Sequence, residues 1–405
     1  MFDAVVDHLR DFSLEFSRRG KEVYLVGGAV RNLLLGRPAQ DYDFATDALP
    51  SEVQSFFRRV LPTGLQHGTV TVLFRGESFE VTTFRIDGTY SDGRRPDGVA
   101  FSTNLEEDLA RRDFTINAMA LNLSDGSLVD PFGGQDDLRR GLLRAIGNPG
   151  HRFDEDALRI LRLFRFAAQL GFSMDSATLD AVPSRIRNLA SVSRERVREE
   201  LWKAMAGGEP QLAFGPLGKL GILTDLFAPM SIQPGTYLNR LSSLSADIRW
   251  SYWLTLAGPS YRDQWERILR ALTWSNAQVA STLGPTKALG FLASDLGLSN
   301  RAKSILEAWG NRDRAAIGME YLGALEAEGY WEDTKGLKAE LLRVAKSAEP
   351  IFLGELDLNG DDLMRWGLPP GPQIGKVLRN LQKRVWEDPS LNSKERLKAL
   401  AMSPS

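Results

Sequence analysis

Residues 25–46 read LVGGAVRNLLLGRPAQDYDFAT. The residues leading in, EVYLV, form a β-rich run that ends in the pair Gly27-Gly28, and AVRNLLLG reads as a short helix closed by Gly36. DYDFAT then alternates as a strand. On a strand, Asp41 and Asp43 share one face about 7 Å apart, while Tyr42 and Phe44 point the other way into a core. A strand, a bare glycine turn, a helix start and two parallel carboxylates therefore follow one another within a single short segment.

Each part has a chemical use. Gly27 and Gly28 let backbone come close to a ligand, and the helix behind them turns its free N–H groups and positive dipole end toward it. Arg31, in the first turn of that helix, adds charge for the same anion. The G-G-x-x-R spacing is not the G-x-G-x-x-G dinucleotide fingerprint. Asp41 and Asp43 repel each other unless a cation sits between them, and hard carboxylate oxygens suit Mg²⁺. A phosphate cradle beside metal carboxylates points to nucleotide chemistry, with two-metal phosphoryl transfer as the mechanism. Such sites use a third acid. Glu80 in SFEVTTFR lies on the second strand of a hairpin, from which it can align beside the aspartates. Glu77 is the competitor, placed in the turn Arg75-Gly76-Glu77.

Working outward, TVTVLFRGESFEVTTFR is that hairpin, and FTINAMALNLSDGSLVDPFGG adds a strand pair around Asp125-Gly126. Hairpins dominate the first 130 or so residues, which predicts an α+β head with a mainly antiparallel sheet. After Gly134 helical periodicity takes over, punctuated by Gly/Pro clusters, so an elongated all-α remainder follows. The 405 residues exceed what one core organises. The expected divisions are a head at 1–137, a helical neck at 138–206, a body at 207–300 and a tail at 301–405.

Composition narrows the function further. Apolar residues make up 43% and charged residues 25%, as in ordinary globular proteins. No apolar run is long enough to span a bilayer and the N-terminus is not a signal peptide. With no cysteine there are no disulfides, thiol nucleophiles or Cys-type zinc sites, which fits a reducing cytoplasm. His8, His67 and His151 are the only histidines, which excludes a histidine-rich metal hydrolase in the C-terminal half. The net charge of −2 carries no global signal for nucleic acid. Locally, residues 139–170 hold seven arginines against three acids, and residues 371–405 hold seven Lys/Arg against three acids.

The stretch GGAVRNLLLGRPAQDYDFAT resembles the signature of the nucleotidyltransferase superfamily in its tRNA nucleotidyltransferase/poly(A) polymerase branch, specifically the class II, bacterial-type CCA-adding enzymes. RRDFTINAMA at 111–120, DPFGGQDDL followed by LRAIGNP, RFDEDALRILRLFRFAAQLGF from Arg152, and SRERVREEL from Ser193 are similar to the family's further motifs, in the family's order. The tail GDDLMRWGLPPGPQIGKVL is also similar. One departure is Asn32, where the family pattern has an aspartate. The resemblance implies Asp41 and Asp43 as metal-binding catalytic acids with Glu80 as the third. It implies that Gly28, Arg31, Arg111, Arg112, Asp113, Asn117, Asp156, Arg159 and Arg162 bind the nucleotide, with Arg31, Arg111 and Arg112 on the triphosphate. Two Mg²⁺ ions, CTP and ATP as substrates, and tRNA as partner go with it. No protein partner is implied.

Base choice can also be argued from hydrogen-bond polarity. On a helix, Asp156 and Arg159 are i, i+3 neighbours and Arg162 continues the same side. A carboxylate only accepts and a guanidinium only donates. Cytosine and adenine each present an amino donor beside a ring-nitrogen acceptor, whereas guanine and uracil present the reverse. An Asp/Arg pair therefore matches C and A. The alternative is a surface salt bridge. The segment 85–101, RIDGTYSDGRRPDGVAF, has a loop composition, and in the relatives it is the flexible loop that helps switch from C to A. Asp92, Arg94 and Arg95 are all present, which argues against an enzyme that adds only CC. For the RNA, GPQIGKVLRNLQKR offers a helix opened by Gly371-Pro372 and Gly375, with Lys376 and Arg379 as phosphate contacts. Trp202, Trp250 and Trp253 read as core. The expected activity is template-independent addition of CCA, or part of it, to tRNA 3′ ends. The alternatives are an A-only or poly(A)-adding enzyme, a catalytically silent RNA-binding protein of the same fold, and an antibiotic nucleotidyltransferase.

Overall fold

The computed structural model describes residues 2–39, 41–87, 99–232, 235–333 and 336–402. Two compact units divide the chain, Met1–Leu226 and Phe227–Ser405.

The first unit opens with helix α1 (Phe2–Ser17), then β1 (Val23–Val26), α2 (Gly28–Leu34), β2 (Asp43–Thr46), α3 (Pro50–Phe56), β3 (Val60–Gly64), β4 (Thr69–Phe74) and β5 (Glu77–Thr83). There follow the short pair β6 (Arg85–Asp87) and β7 (Val99–Phe101), then α4 (Leu105–Ala110), β8 (Ala120–Asn122) and β9 (Leu128–Val129). The main sheet has seven strands in the order β3-β4-β5-β2-β1-β8-β9. All of its ladders are antiparallel except β2 with β5, so the expected mainly antiparallel head is what the chain builds.

That single parallel ladder decides the site. Its register pairs Asp43 with Glu80, Phe44 with Val81 and Ala45 with Thr82. Paired residues on neighbouring strands share a face, so Glu80 stands beside Asp43. The opposite face carries Phe44 and Phe79, which pack against Phe12 of α1 at ring distances of 4.7 and 4.8 Å. On the carboxylate side, Tyr24, Val26 and Ala45 pack with Leu109, Ala118 and Ile146. The alternation read from DYDFAT thus holds: Phe44 is buried, Tyr42 is half-buried against Phe79, and Asp41 and Asp43 are exposed. Two details differ. The strand begins only at Asp43, leaving Asp41 in a bend just before it. Glu77 is not in the turn: it pairs with Phe74 as the first residue of β5, and Arg75 and Gly76 alone turn the hairpin, both at positive φ (51° and 89°), as a two-residue primed turn requires.

From Gly134 the unit is helical: α5 (Gly134–Arg140), α6 (Pro149–Glu155), α7 (Leu158–Leu170), α8 (Ser176–Asp180), α9 (Arg194–Met205), α10 (Gln211–Lys219) and α11 (Ile222–Leu226). A two-residue parallel ladder, Leu142–Leu143 with Ser173–Met174, is the one strand pairing among the described residues of this part. Helix α7 is amphipathic and its apolar side packs on α9 and α10.

The second unit contains helices and 3₁₀ turns from Thr236–Ser243 to Lys394–Met402. Trp250 and Trp253 lie in its core beside Phe227 and Trp274. A separate cluster near the C-terminus joins Leu356, Leu363, Leu381, Val385 and Leu397. Trp202, in the first unit, is only half-buried. Among the described residues no helix is long and apolar enough to cross a membrane.

Candidate active site

Within the first unit, a cleft of about 420 Å³ is lined by Gly27, Gly28, Arg31, Asp43, Arg111, Arg112, Asp113, Asn117, Asp156, Arg159 and Arg162. Three further lining groups, Arg165, Phe166 and Arg196, complete it.

Its floor is the strand-to-helix turn. Gly27 takes φ 68° and ψ −132°, a conformation open essentially to glycine. A Cβ there would also stand 3.2 Å from the Arg112 Nη1. Helix α2 starts at Gly28, and Arg31 follows within its first turn, its N–H donating to the Gly27 carbonyl at 3.2 Å. The Arg31 side chain is buried. It donates through Nη1 to Asn117 Oδ1 at 2.7 Å and through Nε and Nη2 to Asn32 Oδ1 at 3.2 and 3.0 Å. Asn32 therefore orients Arg31 as a neutral acceptor. Burial, then the nearby Arg165 guanidinium, lowers Arg31 to about 10. Arg31, Arg162 and Arg165 all lie against the Phe166 ring, at 5.1, 5.3 and 3.8 Å. So many guanidiniums in a small volume repel one another, which an anion relieves.

Beside this cationic wall stand the carboxylates. Although Asp43 keeps solvent access, the protein packed around it raises its pKa, and Glu80 and Asp41 raise it further, against Arg112, which lowers it. This crowding is what a divalent cation relieves, and the donors are hard oxygens, so Asp41, Asp43 and Glu80 fit Mg²⁺. Among the described residues no three acidic or histidine side chains converge into a ready-made metal cage. Mg²⁺ is characteristically held by one or two carboxylates with substrate phosphates supplying further oxygens, so an incomplete protein shell is consistent with it.

Asp113 is placed differently from the others. Its Oδ1 accepts the Phe114 N–H at 2.8 Å and the Asn117 Nδ2 at 2.9 Å, and its Oδ2 accepts the Arg162 Nε and Nη2 at 2.7 and 2.5 Å. Burial opposes its ionisation, but Arg162 and these bonds outweigh that and pull it down to about 2. With both oxygens doubly engaged, Asp113 aims Arg162 and Asn117, which line the cleft. Arg162 in turn lies 3.9 Å from Glu200, which is ion-paired with Arg165.

The base-side residues depart from the expected helical pair. Asp156 is not on the helix with Arg159: it occupies an extended break between α6 and α7, at φ −145° and ψ 103°. Its Oδ1 accepts the Leu158 N–H at 3.0 Å and its Oδ2 the Arg196 Nη2 at 2.8 Å. Arg159, in the first turn of α7, donates to Glu155 at 2.6 Å and to the Arg152 and Arg111 carbonyls at 3.1 and 2.8 Å. Asp156 and Arg159 thus have separate anchors rather than the surface salt bridge that was the alternative, and both side chains line the cleft.

Arg165, Phe166, Arg196 and Glu200 received no role from the sequence, though all lie in quoted motifs. The i, i+3 step from Arg162 to Arg165 and the i, i+4 step from Arg196 to Glu200 were the available signals. Asp92, Arg94 and Arg95 lie outside the described residues. Lys376 and Arg379 are exposed on the helix Pro372–Glu387 of the second unit, which opens directly after Gly371, with Gly375 already inside it.

Known proteins share this pattern in sequence and in fold. The family model of the poly A polymerase head domain matches residues 23–144. That of the probable RNA and SrmB binding site of polymerase A matches 171–232, and that of tRNA nucleotidyltransferase domain 2 matches 250–401. The chain is 38% identical over 399 residues to a CCA-adding enzyme of Geobacillus thermodenitrificans, covering 96% of this chain and 95% of that one. It is 37% identical to a CCA-adding enzyme of Geobacillus kaustophilus, over 96% and 94% of the two chains. The crystal structure of the Bacillus stearothermophilus CCA-adding enzyme in complex with CTP superposes with a TM-score of 0.79 at 31% identity, covering 96% of this chain and 95% of that one.

Proposed function

The chain belongs to the CCA-adding enzymes of the tRNA nucleotidyltransferase and poly(A) polymerase family, and from that premise we propose that it adds CCA to tRNA 3′ ends from CTP and ATP. The observation that carries this reading is one cleft in which Asp43, a cationic wall and the Asp156 and Arg159 side chains face the same space, with Glu80 paired to Asp43 on the neighbouring strand. The tRNA 3′-oxygen attacks the α-phosphorus, a new P–O bond forms, the bond to the β-phosphate oxygen breaks, and pyrophosphate leaves.

Each group has a part in this. Arg111 and Arg112 hold the triphosphate with Arg31, and the bare Gly27-Gly28 turn lets it approach the backbone. Asp41 and Asp43, with Glu80 beside them, hold Mg²⁺. When bound, Mg²⁺ activates the 3′-hydroxyl and neutralises charge on the leaving pyrophosphate, in the two-ion manner of such sites. Asp156, fixed by Arg196, accepts the base amino group, and Arg159 donates to the ring nitrogen. A base of the wrong polarity leaves these groups unpaired, which costs affinity steeply. Asp92, Arg94 and Arg95 serve the change from C to A. The head, neck, body and tail at 1–137, 138–206, 207–300 and 301–405 divide catalysis, base choice and RNA binding, with Lys376 and Arg379 on tRNA phosphates. The setting is the cytoplasm.

The test is a double variant, Asp41→Ala with Asp43→Ala. Incorporation of labelled CMP and AMP is expected to vanish while tRNA binding, measured by filter retention, persists. Incorporation that survives at the wild-type rate overturns the assignment of the metal carboxylates.

A further inference from the structure

Asp108 lies on α4, in the turn just before the arginine pair, and is fully buried. One of its oxygens accepts the Arg111 Nε and Nη2 at 2.9 and 2.7 Å, and the other accepts the Arg112 Nη2 at 3.1 Å. We propose that Asp108 is a positioning residue of the nucleotide site, a single buried carboxylate that aims both triphosphate-side arginines. The proposal rests on the reading, made above, that Arg111 and Arg112 hold the triphosphate.

The backbone of this turn is already fixed without Asp108. The Ala110 carbonyl accepts the Arg152 Nη1 at 3.0 Å, and the Arg111 carbonyl accepts the Arg159 Nη2 at 2.8 Å. What Asp108 adds is side-chain direction. At i+3 and i+4 the two arginines fall on one helical side, and each is gripped by a different oxygen. Arg112 then reaches across the glycine turn, its Nη1 next to the Cβ position of Gly27, and its field acts on Asp43. Its Nε is buried without a hydrogen-bond partner, so its orientation leans on the Nη2 bond to Asp108. Burial works against the charge on Asp108, but Arg112 and Arg111 overcome it and hold its carboxyl below the ordinary range. One negative charge between two positive ones leaves the pair cationic, so it grips an anion without being neutralised. A long, exposed arginine loses rotamer freedom when it binds phosphate; Asp108 makes that loss during folding, which is preorganisation.

Asp108→Asn keeps the shape but turns an amide donor toward a guanidinium. Two readouts separate aiming from bulk structure: competitive inhibition by inorganic pyrophosphate, which engages only the phosphate side, and inhibition by cytidine, which engages only base and sugar. In Asp108→Asn the KM for CTP and for ATP is expected to rise together by about tenfold, the loss of a charge-assisted bond. Pyrophosphate inhibition should weaken by a similar factor and cytidine inhibition should hold. Equal weakening of both inhibitors, or of neither, overturns the proposal. Arg111→Ala and Arg112→Ala serve as the reference. If they weaken pyrophosphate inhibition and Asp108→Asn does not, the positioning role fails alone; if they do not weaken it, the triphosphate reading fails with it. Should Asp108→Asn not fold, Asp108→Glu keeps the charge but displaces it, and the same pyrophosphate-selective loss is required of it.

Discussion

Asp156 and Arg159 show how much one residue's geometry matters to base choice. Their donor and acceptor polarity could be read directly from EDALR, because it depends only on residue type. Their anchoring could not, since Arg196 lies 40 residues from Asp156 in sequence and the Arg111 carbonyl 48 from Arg159. Without a shared helix, Asp156 still lines the cleft, with Arg196 bonded to its Oδ2. Asp156→Asn offers the base both a donor and an acceptor, so the mismatch with uracil disappears on one side. The ratio of kcat/KM for CTP over UTP is expected to fall by at least about tenfold, measured by single-nucleotide addition to tRNA. An unchanged ratio would remove Asp156 from base selection.

At the level of elements, the placement of Glu80 beside Asp43 depends on β2 and β5 lying parallel. The hairpin and the glycine turn were readable from alternation, but Glu77 was set aside as a turn residue, whereas it opens β5 and lies on the Phe79 face, opposite Glu80. The parallel register of Asp43 with Glu80 was not readable, because local pattern does not say which strands become neighbours. Asp113 is the second cross-element link: it ties the segment after α4 to Arg162 on α7. Its carboxyl stands at about 2 in the fold against 3.8 ordinarily. A lowered carboxylate pKa stabilises the fold above the ordinary value, and the contribution is lost as pH falls from 3.8 through about 2. It amounts to about 2 kcal/mol. Asp113→Asn should therefore be less stable than the wild type at neutral pH in urea titrations, and the gap should narrow across that acid window. A gap independent of pH would mean that the Asp113–Arg162 ion pair does not link these elements.

Across the whole molecule, the nucleotide cleft belongs to the unit Met1–Leu226, while Lys376 and Arg379 belong to Phe227–Ser405. Helical character after Gly134 was legible as periodicity, whereas the boundary near residue 226 carries no composition change. Charge reversal, Lys376→Glu with Arg379→Glu, is expected to weaken tRNA binding and flatten its salt dependence by up to about two units in log–log slope, while KM for CTP and ATP stays put. Unaltered tRNA affinity would take the tail pair out of the RNA contact. Addition of the full CCA is tested with tRNA transcripts ending at the discriminator base, at C, and at CC, each offered single labelled nucleotides. CTP is expected to extend the first two, ATP to extend the CC-ended transcript, and UTP and GTP to extend none. Extension of the CC-ended transcript alone, and only by ATP, would contradict full CCA addition.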